Sequence, residues 1–152
     1  FLDRCQLVRE TLDEPALTTD VIVGFPGETD AEFAETLDAC ERAGFSKIHI
    51  FPFSARRGTP AAEMSDQVAP QVKSDRVNEL ARLEGELRDR YFARLHGRTL
   101  EVLVESLMPD GQRLQGTACR YAPTVLPGSA ELVGQLVEIR AGAAVDGVIQ
   151  AI

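Results

Sequence analysis

Asp20-Val21-Ile22-Val23-Gly24-Phe25-Pro26-Gly27-Glu28-Thr29 and its echo, Ile48-His49-Ile50-Phe51-Pro52-Phe53-Ser54-Ala55-Arg56-Arg57-Gly58-Thr59-Pro60, decide the fold of this chain. Each opens as a β-branched and aromatic run and breaks off into glycine, proline and polar residues. Between them, Thr29 to Ala43 carries the three-and-four spacing of a helix. Strand, loop, helix and strand in that order describe a β-loop-α-β unit, because parallel strands need a crossover to bring the chain back. Ligands of such folds lie beyond the carboxyl ends of the strands. Both loops are therefore expected to face one site.

Working outward, Phe1 to Asp13 reads as a helix with Phe1, Cys5, Val8 and Leu12 on one stripe, ended by Glu14-Pro15. It has no start signal of its own, so a further N-terminal portion is expected upstream. The first strand covers Leu17 to Phe25, with Val21 and Val23 on one face and Asp20, Ile22 and Gly24 on the other. Thr29 and Glu32 form a capping box for the next helix, whose stripe is Phe33, Leu37 and Cys40 and whose stop is Gly44. The second strand, Ser46 to Phe53, sets Ile48 and Ile50 against His49, Phe51 and Phe53, and Pro52 confines it to a sheet edge. Pro70 suits the first position of a long helix, residues 70–96, with Val77, Leu80, Leu83, Leu87, Tyr91 and Leu95 buried. Its other face mixes both charges and reads as solvated.

From Arg98 the period changes to two. Leu100, Val102 and Val104 alternate with Glu101, Leu103 and Glu105, and Pro109-Asp110-Gly111 makes a turn. Gln112 to Cys119 is a strand, Leu126-Pro127-Gly128 turns again, and Gln135 to Arg140 and Val145 to Ile152 are the last strands. Four or five short strands in this space fit a small OB-like β-barrel. The fold class is thus α/β for residues 1–97, followed by an all-β domain at 98–152.

The hydrophobic fraction of 44% in 152 residues is that of an ordinary globular chain. No apolar run approaches the roughly 20 residues that span a bilayer, and no membrane partner is expected. Cys5, Cys40 and Cys119 lie far apart and are odd in number, which suggests a reducing, cytoplasmic setting rather than a disulfide framework. The net charge of −8 argues against a generally basic nucleic-acid binder. That charge is uneven: residues 1–72 carry −7, residues 73–96 carry +1, and residues 97–152 carry −2. RNA contact would have to be local, through particular arginines.

The motifs admit two chemistries each. Gly24 permits close approach of a ligand and Glu28 offers an acceptor, yet a tight turn with a capping acid explains the same residues. Phe51-Pro52-Phe53-Ser54 is either an aromatic wall with a hydroxyl for a planar base or a set of core aromatics. His49 sits between isoleucines as a packing residue would. Arg56 and Arg57 occupy a loop that faces the expected site, where phosphate recognition and simple solvation are equally open. There is no phosphate-loop lysine, dinucleotide fingerprint, zinc spacing or Cys-x-x-x-Cys-x-x-Cys run.

Together these motifs resemble the radical S-adenosylmethionine methylthiotransferases. The resemblance rests on Thr18 to Thr29, on Phe51 to Ala62, on the long helix and on the terminal barrel, where Gly116-Thr117, Tyr121 to Val125 and Leu132-Val133-Gly134 are similar to a TRAM domain. It implies that residues 1–97 are the C-terminal part of a six-stranded partial (β/α) barrel, with Leu17 to Phe25 its fifth strand and Ser46 to Phe53 its sixth. The full-length enzyme would use S-adenosylmethionine and two 4Fe-4S clusters, one to cleave the cofactor and one to deliver methylated sulfur. The three cysteines do not match cluster positions, so this stretch is expected to be inactive alone. Ile22, Gly24, Glu28, Phe51 and Ser54 would line or border the cofactor, and Asp20, His49, Arg56, Arg98, Arg113 and Arg120 would meet the substrate, with Arg140 joining a barrel patch. The form Phe-Pro-Phe-Ser-x-Arg-x-Gly-Thr-Pro-Ala-Ala is most similar to the branch acting on N6-threonylcarbamoyladenosine beside the tRNA anticodon. A monomeric enzyme with the tRNA anticodon stem-loop as partner follows. The branch modifying a ribosomal-protein aspartate is second, and a non-catalytic RNA-binding module is the alternative of a different class.

Overall fold

A computed structural model describes all of residues 1–152. The chain divides into two compact units, Phe1–Thr11 with Leu17–Leu87, and Leu12–Ala16 with Arg88–Ile152. The division falls inside the long helix, upstream of Gly97, where the sequence changes character.

In the first unit, α1 (Leu2–Thr11) precedes β1 (Thr18–Val23), α2 (Asp30–Ala43), β2 (Lys47–Pro52), the single-turn α3 (Pro60–Glu63) and the start of α4 (Pro70–Leu95). β1 and β2 pair in parallel, with Asp20 opposite His49 and Ile22 opposite Phe51. Both C-terminal ends therefore finish side by side. Thr29 caps α2 through the full capping box with Glu32, and Gly44 closes the helix at φ 56°. Val23, Phe33, Cys40, Ile48, Leu80 and Leu83 are buried in one apolar core. That core takes one face of the two-stranded sheet; Asp20, Ile22, His49 and Phe51 on the other are exposed.

The second unit is a closed five-stranded barrel of β3 (Thr99–Leu107), β4 (Arg113–Ala118), β5 (Pro123–Pro127), β6 (Leu136–Val145) and β7 (Val148–Ala151), in the order β3-β4-β5-β7-β6. Only the β5–β7 pairing is parallel. Leu100, Val102 and Val104 fill its interior with Leu114, Leu126 and Ile149, and Tyr91, Phe92 and Leu95 from the end of α4 join that core.

Four local expectations change. The first helix stops at Thr11, and Glu14 adopts a left-handed φ of 42° instead of an extended one, while its carbonyl accepts the Tyr91 hydroxyl at 2.9 Å. Leu126 and Pro127 belong to β5 rather than to a turn, because Leu126 is needed inside the barrel. β6 runs unbroken to Val145 and turns at Asp146-Gly147, whose positive φ values of 50° and 73° suit a two-residue hairpin. The charged side of the long helix is not wholly solvated, since Arg76 and Glu84 are buried.

Candidate functional site

Two turns of one kind shape the rim where β1 and β2 end. Phe25-Pro26-Gly27-Glu28 closes with the Glu28 N–H donating to the Phe25 carbonyl at 2.9 Å, and Gly27 at φ 84° takes the third place that a type II turn reserves for glycine. Arg56-Arg57-Gly58-Thr59 repeats this, with Thr59 N–H on the Arg56 carbonyl at 3.1 Å and Gly58 at φ 82°. The Phe53 N–H donates to the Val23 carbonyl at 2.8 Å, and Phe25 meets Phe53 edge to face at 5.1 Å. The two loops thus share one rim, as the sequence order requires.

Two cations from α4 lock that rim. Arg76 Nη1 donates to Glu28 Oε2 at 2.5 Å and to the Glu28 carbonyl at 3.1 Å, and Nη2 donates to Asp30 Oδ1 at 2.7 Å. The guanidinium also lies over the Phe33 ring at 5.3 Å. The same Glu28 Oε2 accepts the Gly24 N–H at 2.6 Å, so one carboxylate oxygen ties strand end, loop and helix together. Desolvation works against the Arg76 charge, but its hydrogen bonds to Asp30 and Glu28 outweigh it and hold the pKa above the ordinary arginine value. Lys73 serves the second loop: Nζ donates to the Phe53 carbonyl at 3.1 Å and stands over the Phe53 ring at 5.3 Å. Its stem covers Gly24 so closely that a Cβ there would lie 2.5 Å from Lys73 Cγ.

The expected site residues fall into distinct places. Asp20 and His49 face the same side as cross-strand partners, and Ile22 and Phe51 follow as the next pair on that side, both about half exposed. Ser54 and Arg56 are exposed on the loop beyond β2. Gly24 is buried under Lys73. Glu28 borders the rim, but its Oε2 is committed to Arg76 and Gly24. That side of the sheet thus carries apolar Ile22 and Phe51 nearest the loops and the polar Asp20 and His49 further back. Sequence reading missed Arg76 and Lys73. The signal was there: Lys73, Arg76, Leu80, Leu83 and Leu87 continue one three-and-four stripe, so two cations stand where burial was due.

On the barrel unit, Arg98 donates to both oxygens of Asp13 at 2.8 Å, and Arg120 Nη2 to the Asp13 carbonyl at 3.1 Å. Thr99 pairs with Arg140, so Arg140 comes to this same end of the barrel. Arg113 lies at the other end, held by Asp110 at 2.5 Å; the four arginines do not form one patch. Tyr121 stands 78% exposed beside Arg120, on a left-handed backbone of φ 54°. Cys5 and Cys40 lie in the apolar core, where burial pushes the Cys40 thiol up and away from the thiolate that ligates iron, and Cys119 is exposed on the barrel. This donor set does not fit an iron–sulfur cluster.

The threonylcarbamoyladenosine tRNA methylthiotransferase MtaB of Bacillus subtilis is 37% identical over 143 residues, which are 92% of this chain and 32% of that protein. The tRNA-2-methylthio-N(6)-dimethylallyladenosine synthase of Desulfitobacterium hafniense is 36% identical over 140 residues, covering 91% and 31%. The synthase of the same name from Syntrophotalea carbinolica is 38% identical over 141 residues, covering 92% and 32%. This chain spans about a third of the length of these relatives. No protein-family model matches it.

Proposed function

Because the chain is homologous to tRNA methylthiotransferases along nine-tenths of its length, we propose that it is the C-terminal portion of such an enzyme, one that methylthiolates N6-threonylcarbamoyladenosine beside the tRNA anticodon. The observation that carries the reading is the shared rim, where two parallel strand ends, two matched turns and the Arg76–Glu28 clasp make one preorganised ledge. Residues 1–97 would complete a radical S-adenosylmethionine barrel, and 98–152 would be its TRAM domain.

The residues at the rim fit one wall of an adenosyl pocket. Ile22 and Phe51 offer adjacent apolar surface for a purine, and Ser54 a hydroxyl at its border. When bound there, S-adenosylmethionine supplies the methyl group and the radical chemistry of this class. Asp20 and His49 lie further down the same face, able to hold or pass a proton at the substrate, and Arg56 stands on the adjoining loop for a phosphate. Glu28 acts through Gly24, fixing the backbone of the rim. No step is assigned to a cluster within this chain.

At the barrel, Arg98 and Arg120 with exposed Tyr121 present cations beside an aromatic face, the combination by which single-stranded bases are stacked and their phosphates neutralised. Asp13, which pairs with both, is itself exposed, so a phosphate can compete for the guanidinium groups.

The test is mass spectrometry of tRNA from cells lacking the full-length protein, with re-expression as control. Loss of 2-methylthio-N6-threonylcarbamoyladenosine supports the proposal. Loss from dimethylallyladenosine moves the substrate to the other base. Unchanged tRNA with loss of a ribosomal-protein aspartate modification defeats the tRNA reading.

A further inference from the structure

The outer face of β3 and β6 carries a side-chain pattern that the rim and the arginine end leave unused. Leu103 and Leu136 are direct cross-strand partners, 44% and 69% exposed, and Val133 just before β6 is 42% exposed. The next outward pair is Glu101 opposite Glu138, and Glu105 follows Leu103 on the other side, bonded to the Thr117 hydroxyl at 2.7 Å. Like charges directly opposite one another weaken a sheet, and exposed leucine pairs gain nothing from water. One arginine, Arg140, stands beyond the glutamate pair, opposite Thr99. Leu103 lies between Glu101 and Glu105 along its strand, and Leu136 stands beside Glu138.

We propose that this face docks a basic, amphipathic segment of a partner protein, with apolar side chains on Leu103, Leu136 and Val133 and lysines or arginines against Glu101, Glu138 and Glu105. Charge decides the occupant. RNA phosphates and an anionic lipid surface are repelled by the glutamates. A second copy of the chain, docked face to face, would bring glutamate rows together. A cationic segment relieves the Glu101–Glu138 repulsion and covers the leucines in one step.

The experiment titrates the isotope-labelled chain with a synthetic leucine–lysine amphipathic helix and reads backbone amide shifts and affinity. Controls are the leucine–glutamate counterpart and an RNA stem-loop. Perturbations centred on Glu101, Leu103, Leu136 and Glu138 are expected with the lysine peptide alone, weakening as salt rises. Leu136→Ser should lower affinity about tenfold or more with its unfolding midpoint unchanged because the side chain is exposed, and Glu101→Gln with Glu138→Gln should lower affinity several-fold while raising the midpoint slightly, since the facing charges are then gone. Absence of binding, perturbation elsewhere, binding of the RNA stem-loop to this face, or self-association lost in Leu136→Ser would each overturn the proposal. These outcomes leave the tRNA proposal standing, since it concerns the rim and the arginines with Tyr121 at the end of the barrel.

Discussion

Replacing Arg76 with methionine keeps the aliphatic stem but removes every hydrogen bond of the clasp. The Arg76 side chain is 6% exposed and Glu28 13%, whereas Asp30 is 98% exposed. The Asp30 arm therefore contributes about 0–1 kcal/mol. The Glu28 arm is the larger part, since removing one partner of a buried pair leaves an uncompensated charge and costs about 3–5 kcal/mol. Because the chain has two compact units, the readout should be local: hydrogen exchange at the Gly24 amide, which Glu28 Oε2 holds at 2.6 Å. Arg76→Met should speed that exchange by at least about a hundredfold, the kinetic equivalent of ~3 kcal/mol. Adding Glu28→Gln should restore part of the loss, because the buried negative charge is then gone, giving a coupling of about 1–3 kcal/mol. If Arg76→Met changes Gly24 exchange by no more than the ~0.5 kcal/mol of an ordinary surface substitution, the clasp does not hold the rim.

Three further predictions concern other parts of the chain. Gly24→Ala should destabilise the rim by about 1–2 kcal/mol for its φ of 71° alone, and adding Lys73→Ala should recover the steric part of the cost in the same exchange assay. Asp110 is held down to about 2 by the Gln112 N–H first, then by the Arg113 side chain and N–H; a depressed carboxylate stabilises the fold above its unfolded value of 3.8 and loses that contribution as pH falls toward 2. Denaturation of the barrel followed through that window should be less pH-dependent in Asp110→Asn. Tyr91 is pushed up to about 12, by burial first; its stabilisation is complete below pH 10 and lost as pH rises to about 12, so Tyr91→Phe should remove this alkaline sensitivity while costing about 1 kcal/mol for the bond to the Glu14 carbonyl near neutral pH.

Most of what was legible in the sequence is local. The Thr29–Glu32 box, the Gly44 stop, Pro70 at the head of α4 and the alternation from Leu100 to Glu105 are short-range signals, and each became the expected element. The side-by-side strand ends were legible too, since the helix between the two strands is the crossover that a parallel pair needs. The losses are tertiary. Nothing near Glu28 announces a partner 48 positions further along. Leu126-Pro127-Gly128 has the composition of a turn, and only the need to close the barrel draws Leu126 into a strand. The arginines were counted correctly, but their acids, Asp13 and Asp110, lie in a loop and a turn whose folding sets which cations are held.

The register of β1 and β2 also gives the rim a direction. From the loops backward, the exposed face presents Ile22 opposite Phe51 and then, two residues on, Asp20 opposite His49. At about 3.3 Å per residue these pairs stand ~6.6 Å apart along the strands. A ligand seated on this face would meet apolar surface at the pair nearer the rim and the polar groups of Asp20 and His49 at the other. Arg76 has a second consequence: by neutralising Glu28, it leaves the rim end of this face the less charged of the two, which would favour the apolar end of such a ligand on the side of the loops.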